Sequence, residues 1–232
     1  MNQSPIDANI SKVLEQVSIA CAQYGRSRDS VRVLAVSKTQ DAVAVRRAAA
    51  CGLREFGENY LQEALPKIEA CADLDLCWHF IGPLQSNKTR SVAEHFDWIH
   101  SVDREKLLRR LSDQRPESLD PLNVCLQVNI SREVSKAGVS PGELDTLLAL
   151  TDALPRLRLR GLMAIPAAAE GFEAQREPLD ALAALFEDAR RRYPGMDTLS
   201  MGMSADLAAA VAAGSTMLRV GTAIFGPRAK RQ

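Results

Sequence analysis

The chain has 232 residues, 46% of them hydrophobic, with 29 basic side chains against 29 acidic ones. That length can bury one large core in one domain spanning residues 1–232, and zero formal charge argues against a general nucleic-acid binder. With no apolar run near the roughly 20 residues of a membrane span and no basic-then-apolar leader, a cytoplasmic protein without a membrane partner is expected.

The leading segment predicts a helix. Ser4 before Pro5 is a good start, and Ile6, Ile10, Val13, Leu14 and Val17 then recur on one face. This extra helix is expected to pack on the exterior or bottom of the domain. Short β-type runs then alternate with longer helical patterns. Strands are predicted over Arg32 to Ser37, Arg54 to Gly57, Trp78 to Gly82, Trp98 to Ser101, Val124 to Ile130, Leu157 to Ile165, Thr198 to Met201 and Met217 to Gly221. The helices between them span Ala42 to Cys51, Tyr60 to Ala70, Asn87 to Glu94, Arg104 to Leu111, Pro141 to Thr151, Pro178 to Arg192 and Ala205 to Ala213. Asp113 to Pro121 and Pro166 to Pro178 read as long loops. The alternation points to a single α/β domain, a (β/α)8 TIM barrel, with a doubly wound open sheet as the competitor. Strand count favours the barrel, and Ser37-Lys38-Thr39-Gln40 stands where a dinucleotide fold would carry a glycine-rich fingerprint.

Cys21, Cys51, Cys71, Cys77 and Cys125 are odd in number and form no C-x-x-C pair. Reduced, mostly buried thiols are expected, with neither a disulfide framework nor a zinc site. The short basic tail of Arg228, Lys230 and Arg231 reads as a solvated C-terminus.

In a barrel the residues just after each strand form the active face. Lys38 closes the first strand. An ammonium group at the mouth of an apolar core loses its proton more easily, and a neutral amine can attack an aldehyde; a strand-end lysine also serves simply as a gatekeeper charge. Glu58-Asn59-Tyr60 follow the second strand, His79 lies near the end of the third, and Asn129, Ser131 and Lys136 follow the fifth. Asn59 and Asn129 also suit plain turn or cap roles. Ser200-Met201-Gly202-Met203-Ser204 leads into the helix at Ala205, and Arg219-Val220-Gly221-Thr222 ends the last strand. Small-residue turns at helix starts present N–H groups to anions, and barrels often bind phosphate after strands seven and eight. Ser204 is placed as the N-cap, Gly221 lets a backbone approach closely, and both also fit ordinary capping and turning. A lysine facing a phosphate cradle fits a phosphorylated aldehyde such as pyridoxal 5'-phosphate. Arg219, on the same face as Gly221, could meet a pyridine nitrogen as a fixed donor and leave the cofactor a weak electron sink.

These blocks carry a resemblance. Trp78-His79-Phe80-Ile81-Gly82-Pro83-Leu84-Gln85-Ser86-Asn87-Lys88, with Ala35-Val36-Ser37-Lys38, Phe56-Gly57-Glu58-Asn59-Tyr60 and the two C-terminal turns, is similar nearly end to end to the YggS/PROSC family of pyridoxal phosphate homeostasis proteins, related to the barrel domain of alanine racemase. The resemblance implies the fold-type III class of pyridoxal phosphate proteins. It implies that Lys38 holds the cofactor as a Schiff base (an internal aldimine), that Ser204, Gly221 and Thr222 bind its phosphate, and that Arg219 meets the pyridine nitrogen. Asn59 and His79 are implied to line the ring, and Met201 joins the cofactor-binding set. It further implies a carrier in vitamin B6 homeostasis and amino-acid balance, without strong turnover, whose recipients are apo forms of pyridoxal-phosphate enzymes.

A racemase needs a second acid/base opposite the lysine, which in the relative comes from an additional C-terminal β domain. This chain reaches Gln232 without such a domain, and of Tyr24, Tyr60 and Tyr193 only Tyr60 falls near the expected active face. A non-enzymatic carrier and a monomer are therefore expected. A pyridoxal-phosphate-dependent amino-acid racemase is the alternative, and a cofactor-free Schiff-base aldolase the third reading. Lys136, in a polar loop, is a solvated lysine or a second docking amine.

Overall fold

Parallel strands are covered on both faces, so their sequences read as nearly continuous apolar runs. A computed structural model, describing residues 5–131, 133 and 137–227, turns each predicted run into a strand. The order is α1 (Pro5–Gln23), β1 (Arg32–Val36), α2 (Ala42–Ala50), β2 (Glu55–Glu58), α3 (Leu61–Ala70), β3 (Cys77–Phe80), α4 (Thr89–His95), β4 (Trp98–Val102) and α5 (Glu105–Gln114). There follow β5 (Leu122–Gln127), α6 (Leu144–Ala153), β6 (Leu157–Met163), α7 (Phe172–Arg192), β7 (Thr198–Ser200), α8 (Leu207–Ala212), β8 (Met217–Val220) and α9 (Thr222–Phe225). All neighbours pair in parallel and β1 also pairs with β8, so the sheet closes into an eight-stranded barrel.

Helices α2 to α8 connect successive strands, and α1 packs between α8 and α2. The leading helix is therefore not an addition to a complete ring. It fills the eighth place on the exterior, because α9, after β8, is only 4 residues long. The buried stripe of α1, Ile10, Val13, Val17, Ala20 and Cys21, continues the expected periodicity. Phe56, Phe80, Phe96, Leu107, Leu108 and Leu111 fill the layer between strands and helices. Each such buried side chain contributes about 1.5–3 kcal/mol of transfer free energy.

Three local expectations differ from the structure. Helix α7 begins at Phe172 and runs through Pro178, where the sequence predicts a loop. Phe172, at its first position, stacks on Tyr24 of α1 at 5.9 Å, a tertiary contact that ties the start of the helix to an element distant in sequence. Helix α8 begins at Leu207 behind Asp206, so Ser204 is not its N-cap; it sits in the preceding turn, where Asp206 Oδ1 accepts from Met203 N at 2.6 Å. Helix α9 is not foreseen, because a helix this short carries no periodic signal.

The cysteines are unbonded thiols. Among the described residues no helix is long and apolar enough to cross a membrane, and no group of His, Cys, Asp and Glu could hold a metal ion. Ser4, Lys136 and the tail residues Arg228, Lys230 and Arg231 lie outside the described residues.

Candidate functional site at the barrel mouth

Side chains inside the barrel alternate along each strand, so only the last inward residue of each strand reaches the mouth. At the C-terminal ends of the strands these residues wall a cavity of about 310 Å³. Lys38, Asn59, Ser204, Arg219, Gly221 and Thr222 share its wall with apolar Val36, Ile81, Ile165 and Met203. Six of the eight sequence-predicted positions are thus brought together from the ends of β1, β2, β7 and β8.

His79 and Met201 are not brought to it. His79 lies one layer below Ile81 on the same face of β3, fully buried, stacked on Trp98 at 5.2 Å. Met201 faces outward into the apolar layer beneath the helices. Both follow from the pleat: His79 points inward but too deep, and Met201 points to the other side of the sheet.

The turn that presents Lys38 is held by groups from β2 and α3. Thr39 has φ +67°, a left-handed conformation unusual for a β-branched residue, and its N–H donates to Glu63 Oε2 at 2.9 Å. Below it, Lys67 Nζ donates to Glu58 Oε1 at 2.6 Å and to the Ser37 carbonyl at 2.9 Å, while Ser37 Oγ donates to the same carboxylate oxygen at 2.6 Å. Glu58 and Lys67 are both buried. Burial pushes the Glu58 carboxyl up, against the opposing pull of Lys67 and of the Ser37 hydroxyl. This buried pair anchors the residue before Lys38. Glu58 belongs to the conspicuous Phe56-Gly57-Glu58-Asn59-Tyr60 block, but Lys67 lies on a helix face with no local sign of burial.

Asn59 is positioned by a close backbone passage. A Cβ on Gly82 would lie 2.2 Å from the Asn59 carbonyl oxygen, so any side chain there would push the two loops apart. Asn59 Oδ1 is buried and has no hydrogen-bond partner among the described residues. A buried acceptor left this way costs roughly 1–3 kcal/mol unless a ligand or water donates to it.

Across the cavity, Arg219 is buried and rigidly held. Nη1 donates to the Ser200 carbonyl at 2.6 Å and to Ser200 Oγ at 2.9 Å, and Nη2 donates to the Ala164 carbonyl at 2.8 Å. Burial pushes its pKa down to about 10, which leaves it a cation at neutral pH. The two small-residue turns close this side. Gly202, at φ +90°, could not carry a Cβ, which would lie 2.3 Å from Ala210 Cβ. Gly221 leaves a Cβ only 3.2 Å from the Val36 carbonyl oxygen, so its bare backbone is what fits beside β1.

Tyr60 is 52% exposed and walls a neighbouring cavity of about 250 Å³ with Asn59, Gln85 and Lys88, away from the Lys38 cavity. An amine, an orphaned amide acceptor, hydroxyls on two facing turns and a fixed guanidinium surround one small cavity. Such a set suits a compact aromatic aldehyde bearing an anionic group.

Fold and site together define a barrel of the alanine racemase type. The family model for the N-terminal domain of alanine racemase matches residues 18–229. Within that class the similarity is narrower. The chain is 56% identical over 225 residues to a pyridoxal phosphate homeostasis protein of Pseudomonas aeruginosa, covering 97% of this chain and 96% of the relative. It is 53% identical over 223 residues to that of Escherichia coli, covering 95% of each. It superimposes on PipY of Synechococcus elongatus, solved with pyridoxal phosphate bound, with TM-score 0.82 and 37% identity over 95% of this chain and 100% of that one. The chain belongs to the family of pyridoxal phosphate homeostasis proteins.

Proposed function

We propose that this chain binds pyridoxal 5'-phosphate at the barrel mouth and serves as a holder of the cofactor in vitamin B6 homeostasis. The observation that carries the reading is the convergence of Lys38, Asn59, Ser204, Arg219, Gly221 and Thr222 on one cavity. The chemistry the cofactor supplies is an aldehyde that condenses reversibly with a neutral lysine amine, forming a C=N bond and releasing water.

The protein's own residues then divide the work. Lys38 supplies the amine from the end of β1, and the Glu58–Lys67 pair holds the backbone beside it. Ser204 and Thr222 offer hydroxyls, and Gly221 an unobstructed backbone, to the phosphate. Asn59 Oδ1 accepts from a ligand hydroxyl, which removes its orphaned state. Arg219, cationic and tied down by three hydrogen bonds, faces the pyridine nitrogen as a donor. A cation there disfavours protonation of the ring nitrogen and so limits carbanion chemistry, which suits holding and release better than turnover.

Release to apo forms of pyridoxal-phosphate enzymes, action as a monomer and residence in the cytoplasm belong to the same reading. The alternative, an amino-acid racemase, needs a second acid/base facing Lys38 across the ligand. Tyr60 is not on that wall.

The test is titration of the protein with pyridoxal phosphate, followed by absorbance, in wild type and Lys38→Ala. A visible band that saturates at one equivalent and is missing in the variant supports the holder. Conversion of L-alanine to the D-form at enzymatic rates would favour the racemase, and a colourless protein active on a sugar phosphate would favour the aldolase.

A further inference from the structure

Beneath the cavity the barrel interior carries an unusual run of polar groups. Arg219 Nη1 donates to Ser200 Oγ at 2.9 Å; Ser200 Oγ lies 2.9 Å from His100 Nδ1; His100 Nε2 lies 3.0 Å from His79 Nδ1; and His79 Nε2 lies 3.3 Å from Cys77 Sγ. Ser200, His79 and His100 are all fully buried. An apolar filling of Val, Ile and Leu is the usual content of such a barrel. Two adjacent buried imidazoles in this position call for a reason.

Hydrogen counting gives the run a direction. Burial holds both imidazoles neutral, His79 further disfavoured as a cation by His100, and His100 by Arg219, so each carries one N–H. The Ser200 oxygen already accepts from Arg219. If His100 carried its proton on Nδ1, that oxygen would accept twice and its own hydrogen would need a third partner. If instead the hydroxyl donates to His100 Nδ1, each group accepts once and donates once. His100 then carries its proton on Nε2 and donates to His79 Nδ1, and His79 carries its proton on Nε2, facing Cys77. A chain of bonds pointing one way polarises each member, and the serine oxygen becomes a stronger acceptor for the guanidinium.

We infer that His100, acting through the Ser200 hydroxyl, is a positioning residue that fixes the cationic Arg219 against the bound ligand, and that His79 fixes the tautomer of His100. The inference rests on the proposed pyridoxal phosphate site. It assigns His79 a role below the ligand, in place of contact with it. Arg219 spends both Nη1 hydrogens on Ser200 and one Nη2 hydrogen on Ala164, so its remaining N–H bonds are aimed by that anchorage. With the serine oxygen gone, the guanidinium gains a rotational freedom that the ligand must then freeze out.

Two measurements test this. The first is ¹⁵N NMR of the histidine rings in the wild-type protein without added cofactor. The expected result is two neutral rings protonated on Nε2 between pH 6 and 8. A His100 ring protonated on Nδ1, or a charged ring at pH 7, overturns the inference whether or not the site binds pyridoxal phosphate. The second compares wild type, Ser200→Ala, His100→Phe and His100→Gln for uptake of pyridoxal phosphate labelled with ¹⁵N in its ring. Ser200→Ala and His100→Phe are expected to weaken binding by about five- to tenfold, the equivalent of one lost hydrogen bond to a charged group, and to move the ring-nitrogen shift toward that of a nitrogen without a donor. His100→Gln, which restores an acceptor for Ser200, is expected to recover most of both. Wild-type affinity and shift in Ser200→Ala would overturn the relay while leaving the Lys38 site intact. Failure of the wild type itself to take up the cofactor would instead overturn the reading of the site.

Discussion

The two ends of the barrel treat polar side chains differently. At the floor, Arg32 Nη1 meets Glu55 Oε1 at 2.9 Å, its Nη2 donates to Thr198 Oγ1 at 2.8 Å, and Arg160 meets both Asp197 and Asn123. Arg32 and Arg160 also lie over the Trp98 ring, at 5.2 and 4.5 Å from its centroid. These groups pair with one another, although Glu55 Oε2 has no hydrogen-bond partner among the described residues, so the floor is a plug. At the mouth, Lys38, Arg219, two hydroxyls and the unpartnered Asn59 Oδ1 surround open space. Both ends are polar and built on the same pleat; what distinguishes a site from a plug is whether its polar groups close over one another or wall an open cavity. The floor should therefore govern stability, and the mouth affinity.

The sharpest break in that division lies just under the mouth, in the buried Glu58–Lys67 pair. Lys67→Ala leaves a buried carboxylate without its cation and is expected to cost about 3–5 kcal/mol in urea unfolding at pH 7. A loss below about 1 kcal/mol would mean that the pair is not what holds the Lys38 turn.

Acid should act next most strongly, and through the interior. The pKa values of His79 and His100 are lowered in the folded state by burial, so their contribution is present above the unfolded histidine pKa of about 6.5 and is lost as pH falls below it. Each should remove about 1.4 kcal/mol per pH unit below that point. Urea midpoints measured from pH 7.5 to 5 check this; a flat profile would contradict the neutral buried pair.

Smaller effects separate floor from mouth directly. Arg32→Met should lower the unfolding free energy by about 1–3 kcal/mol, since it strands part of Glu55, yet leave the dissociation constant for pyridoxal phosphate within about twofold. Ser204→Ala should do the reverse, weakening binding by about fivefold with an unchanged urea midpoint. Both can be read from one denaturation curve and one absorbance titration per variant. An affinity loss in Arg32→Met comparable to that in Ser204→Ala would dissolve the distinction.

The barrel is largely legible in the amino-acid sequence, because buried parallel strands write themselves as apolar runs between periodic helices. The misjudged parts depend on partners distant in sequence. Pro178 looks like a helix stop until Phe172 is seen stacked on Tyr24, and the leading helix looks supernumerary until α9 proves too short to cover β1 and β8. At the site, Lys38, Asn59, Arg219 and the two small-residue turns announce themselves as polar residues at strand ends. His79 belongs to the same conspicuous motif, but only the depth of the barrel layers shows that it lies below the cavity. Lys67 and His100 carry no such local signal, and Glu58 and Ser200, though they sit in conspicuous blocks, do not show there that they are buried beneath the mouth, since that burial is decided by elements far away in the chain.

Attachment of the cofactor at Lys38 is tested by borohydride reduction of the protein mixed with one equivalent of pyridoxal phosphate, followed by peptide mapping by mass spectrometry. One modified position, Lys38, is expected, with loss of the visible band on reduction. A label spread over exposed lysines such as Lys88, or a Lys38 peptide of unmodified mass, would contradict that attachment.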